Sequence, residues 1–345
     1  MTDNTNTADK TTLDCPAFSL PISSLVSEAT RTILQQQAIN QNAAQEKSKD
    51  ASASSTPPSP EQQREQFYNT EAYQRLREQY PVDIQLDTLG GVVVETITPK
   101  AGISEENQAR VLLNFHGGSF QSGSRISSQL ESIPVAALGR IKVISVDYRQ
   151  YPEHRYPAAT EDAVVAYSAL LEHYAPSHIG IFGTSSGAAL CAQTLVQLQE
   201  NDIPLPCAVA MIACGAARRE GDSVAIVGSI VQAQSGIDLK AMMTLGYYEG
   251  IDMSDPHVTP ALSDQYLSAF PPCFLASSTR DFLLSSVLVT HRRLVQLGEE
   301  PELHLWEGLG HFFHANNDLP EAKELHQLTL RFFAKHFGRA SVESA

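Results

Sequence analysis

The chain has few cysteines and no run of basic residues. Its five cysteines among 345 residues stand apart, without the Cys-x-x-Cys spacing of a zinc site or the dense pattern of a disulfide-stabilised scaffold. Lysine and arginine number 24 against 39 acidic residues, which gives a net charge of -15 and no basic cluster for nucleic acid or an anionic membrane. We therefore expect no metal, no nucleic-acid partner and a small, uncharged organic substrate.

The chain opens without a basic segment followed by an apolar stretch, and none of its apolar runs is long enough to cross a bilayer. These absences predict a cytoplasmic protein without stable membrane insertion. A chain whose native leader had been removed would show the same pattern. With 42% hydrophobic residues, 345 positions can bury one large catalytic core with an accessory lobe. The oligomeric state, including a homodimer, stays open.

Residues 1–80 are predicted to form N-terminal cap helices with a flexible connector. Apolar residues at helical spacing predict amphipathic helices over residues 21–34 and 61–78. The connector, at about residues 35–63, is rich in Gln, Asn, Ala, Ser and Pro, and it cannot bury enough apolar surface to order itself.

Residues 81–338 alternate short apolar runs with helical patterns. This alternation predicts an α/β fold with a mostly parallel, doubly wound sheet and helices on both faces. The predicted strands cover residues 82–86, 92–97, 111–115, 143–146, 179–182, 208–212, 274–276 and 302–306. The predicted helices cover residues 158–173, 188–200, 283–297 and 320–337. The first two strands, separated by Gly90 and Gly91, are expected to form an antiparallel edge.

The alternation stops at about residues 214–260, which predicts an inserted cap segment within the catalytic domain. Four of its side chains are candidates for the wall of a pocket, although packing of the cap on the core is the simpler interpretation of each: Met242, Met243, Tyr247 and Tyr248. A short tail is expected at residues 339–345.

The most informative motif is Gly183-Thr184-Ser185-Ser186-Gly187, which follows an apolar run and leads into a helical pattern. A strand, a tight turn and a helix with serine at the apex are the setting of a nucleophile elbow. The flanking glycines remove Cβ atoms that would clash in so sharp a turn. Ser185 is therefore the candidate nucleophile, and an ordinary serine turn is the alternative.

A serine nucleophile needs a base, and histidine is the usual one because its pKa lies near neutral pH. His311 follows the last predicted strand on a glycine-bearing loop, at the sheet edge expected for Ser185, and His314 is its nearest competitor. Asp281 follows the penultimate predicted strand and would orient the histidine, unless it only caps the next helix. The chain order Ser185, Asp281, His311 is that of α/β-hydrolases.

The tetrahedral intermediate of such a reaction needs hydrogen-bond donors for its oxyanion. The segment after the strand at residues 111–115 begins with His116 and two glycines. We assign the backbone N–H groups of Gly117, Gly118 and Ser186 to the oxyanion hole. An ordinary Gly-Gly turn is the alternative, and His116 is expected to hold the loop by a buried hydrogen bond.

At this point the motifs resemble those of the hormone-sensitive-lipase-like branch of α/β-hydrolase esterases, which carry H-G-G-G-[FYW] ahead of G-D-S-A-G-G. Residues 116–120 and 183–188 correspond to these two motifs. Residues 147–159 resemble the D-Y-R-L-A-P-E-H-x-[FY]-P-A-A segment of the branch, and residues 255–260 its D-P-x-x-S-P segment. The resemblance covers about residues 82–337. It implies an α/β-hydrolase fold, a helical cap and a carboxylic-ester hydrolase.

Three departures from the pattern affect the expected rate and substrate range. Ser119 replaces the third glycine, Thr184 replaces the aspartate before the nucleophile, and Gln150-Tyr151 replaces Leu-Ala. None of them removes a member of the predicted triad or an assigned oxyanion glycine.

We therefore expect a serine carboxylesterase that needs no cofactor and hydrolyses uncharged short- to medium-chain esters through an acyl-enzyme. A lactone hydrolase or deacetylase of the same fold stays open, as does a ligand-binding receptor that has lost turnover. A third alternative is a protein that binds partners through its connector. The presence of His311 argues against the receptor, and the connector carries no aromatic or charged recognition pattern. The motifs leave the natural substrate and the stereoselectivity undetermined.

Overall fold

A computed structural model describes residues 19–48, 59–236, 238–239 and 246–338 of the chain. The strands are β1 (Val82–Leu89), β2 (Val92–Pro99), β3 (Val111–Phe115), β4 (Lys142–Val146), β5 (Ile179–Thr184), β6 (Ala208–Ile212), β7 (Cys273–Arg280) and β8 (Glu302–Gly310). Within the described residues they form one sheet in the order β1-β2-β4-β3-β5-β6-β7-β8.

The sheet is mostly parallel. β1 and β2 form an antiparallel hairpin at one edge, β2 pairs antiparallel with β4, and every pairing from β4 across to β8 is parallel. Gly90 and Gly91 join the hairpin with φ angles of 60° and 88°, and a two-residue type I′ turn needs two successive positive values. The predicted α/β class, the parallel sheet and its antiparallel edge are confirmed.

Helices cover both faces of the sheet. They are α1 (Glu28–Ser48), α2 (Pro60–Tyr68), α3 (Glu71–Gln79), α4 (Ser127–Gly139), α5 (Ala158–Leu170), α6 (Ser186–Glu200), α7 (Asp222–Ser235), α8 (Asp264–Ser268), α9 (Leu284–Gln296) and α10 (Pro320–His336). α4 and α10 lie on one face, and α5, α6 and α9 lie on the other. The side chains of β3 alternate accordingly, with Val111 and Leu113 in one buried cluster and Leu112 in the second.

Helix α1 differs from its prediction. It begins at Glu28 and continues to Ser48, so residues 35–48, expected to belong to a flexible connector, are helical. The physical reason is that Gln, Ala and Glu are good helix formers. Gln36 also donates a hydrogen bond of 3.0 Å to Asn40, one turn further on. Residues 49–58 of the predicted connector lie outside the described residues.

The predicted helix over residues 61–78 is two helices, α2 and α3. They separate at Thr70, whose hydroxyl accepts a hydrogen bond of 3.2 Å from the Tyr73 N–H and so caps α3. The Tyr73 hydroxyl donates to Gln129 on α4 at 2.7 Å, which ties α3 to the catalytic domain. The sequence pattern does not predict α4, because Pro134 lies inside it and a proline usually marks a helix boundary.

The predicted cap segment contains α7 among its described residues. The candidate wall residues Met242 and Met243 lie outside the described residues, as do residues 339–345. No helix in the described ranges combines the length and apolar character needed to span a bilayer.

Candidate active site

Ser185 lies at the sharp turn between β5 and α6. Its φ and ψ are 55° and -117°, a strained conformation for a residue with a side chain. A Cβ atom on Gly187 would lie 1.8 Å from the Phe115 carbonyl oxygen, and one on Gly183 would lie 2.4 Å from the Gly187 carbonyl oxygen. Both neighbouring positions therefore require glycine, for the reason that the sequence motif indicated.

His311 stands between Ser185 and Asp281. Its Nε2 lies 2.8 Å from the Ser185 Oγ, and its Nδ1 lies 2.6 Å from the Asp281 Oδ1. The three side chains reach one edge of the sheet because they directly follow β5, β7 and β8. These strands are parallel, so their carboxyl ends meet. This geometry lets the imidazole accept the serine proton while the carboxylate fixes its tautomer.

Asp281 is 1% exposed and fully hydrogen-bonded. Its Oδ2 accepts from the Ser277 hydroxyl at 2.8 Å, and its Oδ1 accepts from the Leu283 N–H at 2.8 Å as well as facing the histidine. The aspartate thus orients His311 and also holds the start of α9, so the two predicted alternatives coexist. These bonds fix the carboxylate in position before a substrate binds.

His314, the competing histidine, does not face the Ser185 hydroxyl. It is buried, and its Nε2 lies 3.2 Å from the hydroxyl of Thr184. Burial, with the nearby His326 and His311, holds the pKa of His314 well below its ordinary value. His314 is therefore a neutral core residue beneath the nucleophile.

The loop after β3 is held by His116, as predicted. The Nδ1 of this buried imidazole lies 2.8 Å from the Gly117 carbonyl oxygen, and the Gln150 amide lies 3.2 Å from its Nε2. The Tyr148 hydroxyl donates to the His116 carbonyl oxygen at 2.7 Å. Burial lowers the pKa of His116, which favours the neutral ring that this pair of contacts requires.

The structure contradicts the assignment of Gly117 to the oxyanion hole. Its N–H already donates to the Glu131 Oε1 at 2.9 Å. The N–H groups of Gly118, Ser119 and Ser186 form no hydrogen bond within the described residues, and these three residues line the cavity beside Ser185. The Ser186 N–H is unpaired because it lies in the first turn of α6. Ser119, which the sequence analysis considered only as a departure from a glycine, therefore supplies an unpaired N–H that the interpretation of the motif missed.

Glu131 is a buried carboxyl group behind this loop. Besides the Gly117 N–H, it accepts hydrogen bonds from the Asn114 amide at 3.1 Å and from the Thr184 hydroxyl. Burial raises the pKa of Glu131 to about 8, even though these donors lower it. Sequence reasoning missed this residue because it lies on α4, a helix that the pattern does not predict.

A cavity of about 210 Å³ opens above the serine. Its described lining consists of Gly117, Gly118, Ser119, Phe120, Ser127, Ser185, Ser186, Arg219, Tyr247, Tyr248, Phe282, Leu283, His311 and Phe312. The predicted wall residues Tyr247 and Tyr248 are among them, whereas no described residue of α1, α2 or α3 is. In the described part of the chain, no group of three or more His, Cys, Asp or Glu side chains could hold a metal ion.

Comparison with known proteins places this architecture in a family. Residues 112–315, more than half of the chain, match the model of a protein family whose description is alpha/beta hydrolase fold. The chain belongs to the α/β-hydrolase family. A solved esterase structure superposes on this α/β-hydrolase with a TM-score of 0.77 at 28% identity, and the match covers 94% of this chain and 99% of the esterase.

Further relatives refine the placement. An esterase from the bacterial hormone-sensitive lipase family has a TM-score of 0.69 at 25% identity, over 83% of this chain and 94% of its own. An acetyl-hydrolase from Streptomyces hygroscopicus is 29% identical over 261 residues, which are 73% of this chain and 84% of the relative. The resemblance to the hormone-sensitive-lipase-like branch is thereby confirmed, and the relatives support an esterase activity in general.

Proposed function

We propose that this α/β-hydrolase is a serine carboxylesterase that hydrolyses uncharged esters with short to medium acyl chains through an acyl-enzyme. The observation that carries the proposal is the continuous hydrogen-bonded chain from Ser185 through His311 to the buried Asp281. These hydrogen-bonded side chains border a cavity whose wall also contains unpaired backbone N–H groups.

In the first step the Ser185 Oγ attacks the ester carbonyl carbon as His311 takes its proton. Asp281 stabilises the imidazolium that forms. The proton then passes from His311 to the leaving alcohol oxygen, and the carbon–oxygen bond of the ester breaks to leave an acyl-serine. A water molecule that His311 deprotonates attacks this acyl group, and the proton returns to Ser185 as the acid leaves.

The carbonyl oxygen becomes negatively charged in both tetrahedral intermediates. The N–H groups of Gly118, Ser119 and Ser186 are the donors available to it, because the Gly117 N–H is held by Glu131. Removing one donor of an oxyanion hole typically costs on the order of 100-fold or more in kcat.

The size and lining of the cavity support small substrates. A volume of about 210 Å³ lies below the range of about 300–1,000 Å³ that is usual for drug-sized ligands. Much of its wall is aromatic, and Phe120 stacks on Tyr247 with ring centroids 4.5 Å apart. Such a wall suits an acyl chain of a few carbons better than a long lipid chain.

The test is hydrolysis of p-nitrophenyl acetate, butyrate, octanoate and palmitate by the wild-type protein and by Ser185→Ala. We expect turnover that is greatest for the shorter chains and absent in Ser185→Ala, with an acyl adduct detected by intact mass only where Ser185 is present. Ser268→Ala, a change at an exposed serine far along the chain, is the matched control. Equal turnover in both forms, or none from folded wild-type protein, would refute the proposal and favour a ligand-binding receptor.

A further inference from the structure

Arg219 places a positive charge in the wall of the cavity that contains Ser185. It is the one permanently charged side chain among the described residues of that wall. Its Nη2 atom is buried and has no hydrogen-bond partner, and no ion pair within the described ranges includes it. The neighbouring Arg218 also has a buried Nε atom without a partner, but its two other nitrogen atoms form an ion pair of 3.7 Å with Glu220 and a hydrogen bond to the Ser254 hydroxyl.

The guanidinium of Arg219 stacks on an aromatic ring. Its Cζ lies 4.5 Å from the centroid of the Tyr248 ring, and the Tyr248 hydroxyl accepts a hydrogen bond of 2.9 Å from the buried Gln193. A guanidinium stacked on an aromatic ring uses its face for this contact and keeps the N–H groups in its plane free to donate. The stack therefore fixes the position of the charge without giving its Nη2 donor a partner.

An unpaired buried donor is unfavourable, and more so when it is charged. Residues 240–245, which complete the cap segment in the sequence, contain no aspartate or glutamate that could pair with Arg219. No carboxylate is among the described lining residues either, and the buried Asp281 is engaged by His311. Among the described residues the Arg219 Nη2 donor has no acceptor, so an acceptor on the substrate fits it. A carboxylate fits best because it matches the planar fork of a guanidinium.

We propose that Arg219 binds a carboxylate of the substrate, so that esters carrying a second, free carboxylate are preferred over neutral esters of the same size. The substrate class is the half-ester of a short dicarboxylic acid, with Arg219 as the specificity-determining residue. This inference rests on the proposed esterase function and extends its range beyond uncharged esters. The aromatic and aliphatic lining, including Phe282 and Leu283, would contact the carbons between the two carboxyl groups.

The test compares two esters of equal size that differ only in charge. Monoethyl glutarate carries a carboxylate where the ethyl ester of glutaramic acid carries a carboxamide, and the succinate and adipate pairs vary the distance to the ester. Release of ethanol gives kcat/KM for each. We expect a wild-type ratio of carboxylate to carboxamide of about 10 or more for at least one pair, the effect of one hydrogen bond to a charged group.

Arg219→Gln should lower that ratio by about tenfold or more, because the loss in kcat/KM is expected for the carboxylate ester and not for its carboxamide counterpart. Arg219→Lys, which keeps the charge but not the fork, should retain part of the preference. The matched control is Arg218→Gln, which should leave the ratio unchanged. A wild-type ratio at or below one would overturn the inference. So would an Arg219→Gln variant that loses both esters equally, because that result indicates a structural contact with Tyr248 alone.

Binding can be measured apart from catalysis. Calorimetric titration of monoethyl glutarate into Ser185→Ala should give a Kd about tenfold or more tighter than into the double variant Ser185→Ala/Arg219→Gln. Equal Kd values would refute the role of Arg219 whether or not the wild-type protein is an esterase. If the wild-type protein shows no Ser185-dependent turnover of p-nitrophenyl butyrate, that result would instead refute the proposed function.

Discussion

Replacement of Glu131 by glutamine should make the stability of the protein less dependent on pH. The carboxyl group of Glu131 is 2% exposed, and burial raises its pKa to about 8 from the usual value of 4.5. Glutamine has nearly the same shape and keeps an oxygen that can accept from the Gly117 N–H. The substitution thus removes the titration while leaving the support of the oxyanion loop in place.

The sign of the effect follows from proton binding. Between pH 4.5 and about 8 the folded wild-type protein keeps the Glu131 proton, whereas the unfolded chain releases it. The free energy of unfolding of the wild type therefore falls by about 1.4 kcal/mol for each pH unit in this window, and the change summed to pH 8 is about 5 kcal/mol. Below pH 4.5 both states bind the proton, and above pH 8 both states release it, so the contribution is constant there.

The assay is urea unfolding of the wild type and of Glu131→Gln at pH 5.5, 6.5 and 7.5. The protein has a single tryptophan, and Trp306 is buried on β8, so its fluorescence reports loss of the core. The variant should gain about 3 kcal/mol relative to the wild type between pH 5.5 and 7.5. A constant difference in the free energy of unfolding at all three pH values is expected as well. The Asn114 amide donates to Glu131 in the wild type, and in the variant it would face the NH2 group of glutamine, which is another donor.

The quantity that tests the prediction is the change with pH in the difference between the two free energies of unfolding. Every other titrating group is present in both proteins, so its contribution cancels in that difference. A difference between variant and wild type that stays the same from pH 5.5 to 7.5 would show that Glu131 is already ionised in the folded state. That constant difference is also the result expected if the hydrogen bonds from Gly117, Asn114 and Thr184 outweigh burial, because the carboxyl group would then titrate below pH 4.5. A difference that falls with rising pH would contradict the sign, and titration of Glu131 could not explain it.

Three further substitutions test the site and the core. Asp281→Asn should lower kcat by about 10⁴ with a small change in KM, measured with p-nitrophenyl butyrate, because the histidine loses the partner that fixes its tautomer. Gly187→Ala should abolish activity or folding, as judged by circular dichroism, since the new Cβ would lie 1.8 Å from a backbone oxygen of β3. Leu76→Ala, at a buried position of α3, should lower the free energy of unfolding by about 2–5 kcal/mol in urea titrations. It should leave kcat unchanged at a temperature where the variant is folded, because α3 does not reach the described cavity wall.

The predicted sheet and the order of the candidate triad could be inferred from local patterns. A buried parallel strand is a continuous apolar run, and a turn as sharp as the one at Ser185 restricts its neighbours to glycine. Because parallel strands end at one edge, residues that directly follow β5, β7 and β8 meet whatever the intervening sequence. The positions of Ser185, Asp281 and His311 therefore followed from the sequence alone.

Other features depended on contacts between segments far apart in the chain. Gly117 looks equivalent to Gly118 in the motif, and only the carboxyl group of Glu131, carried by a helix with an internal proline, removes its N–H from the oxyanion hole. Likewise, no motif separates Arg219 from Arg218. The sequence by itself determined which residues end the strands, since strand and turn patterns are local. Tertiary structure alone decided which buried donors are paired, because the partner of each one lies elsewhere in the chain.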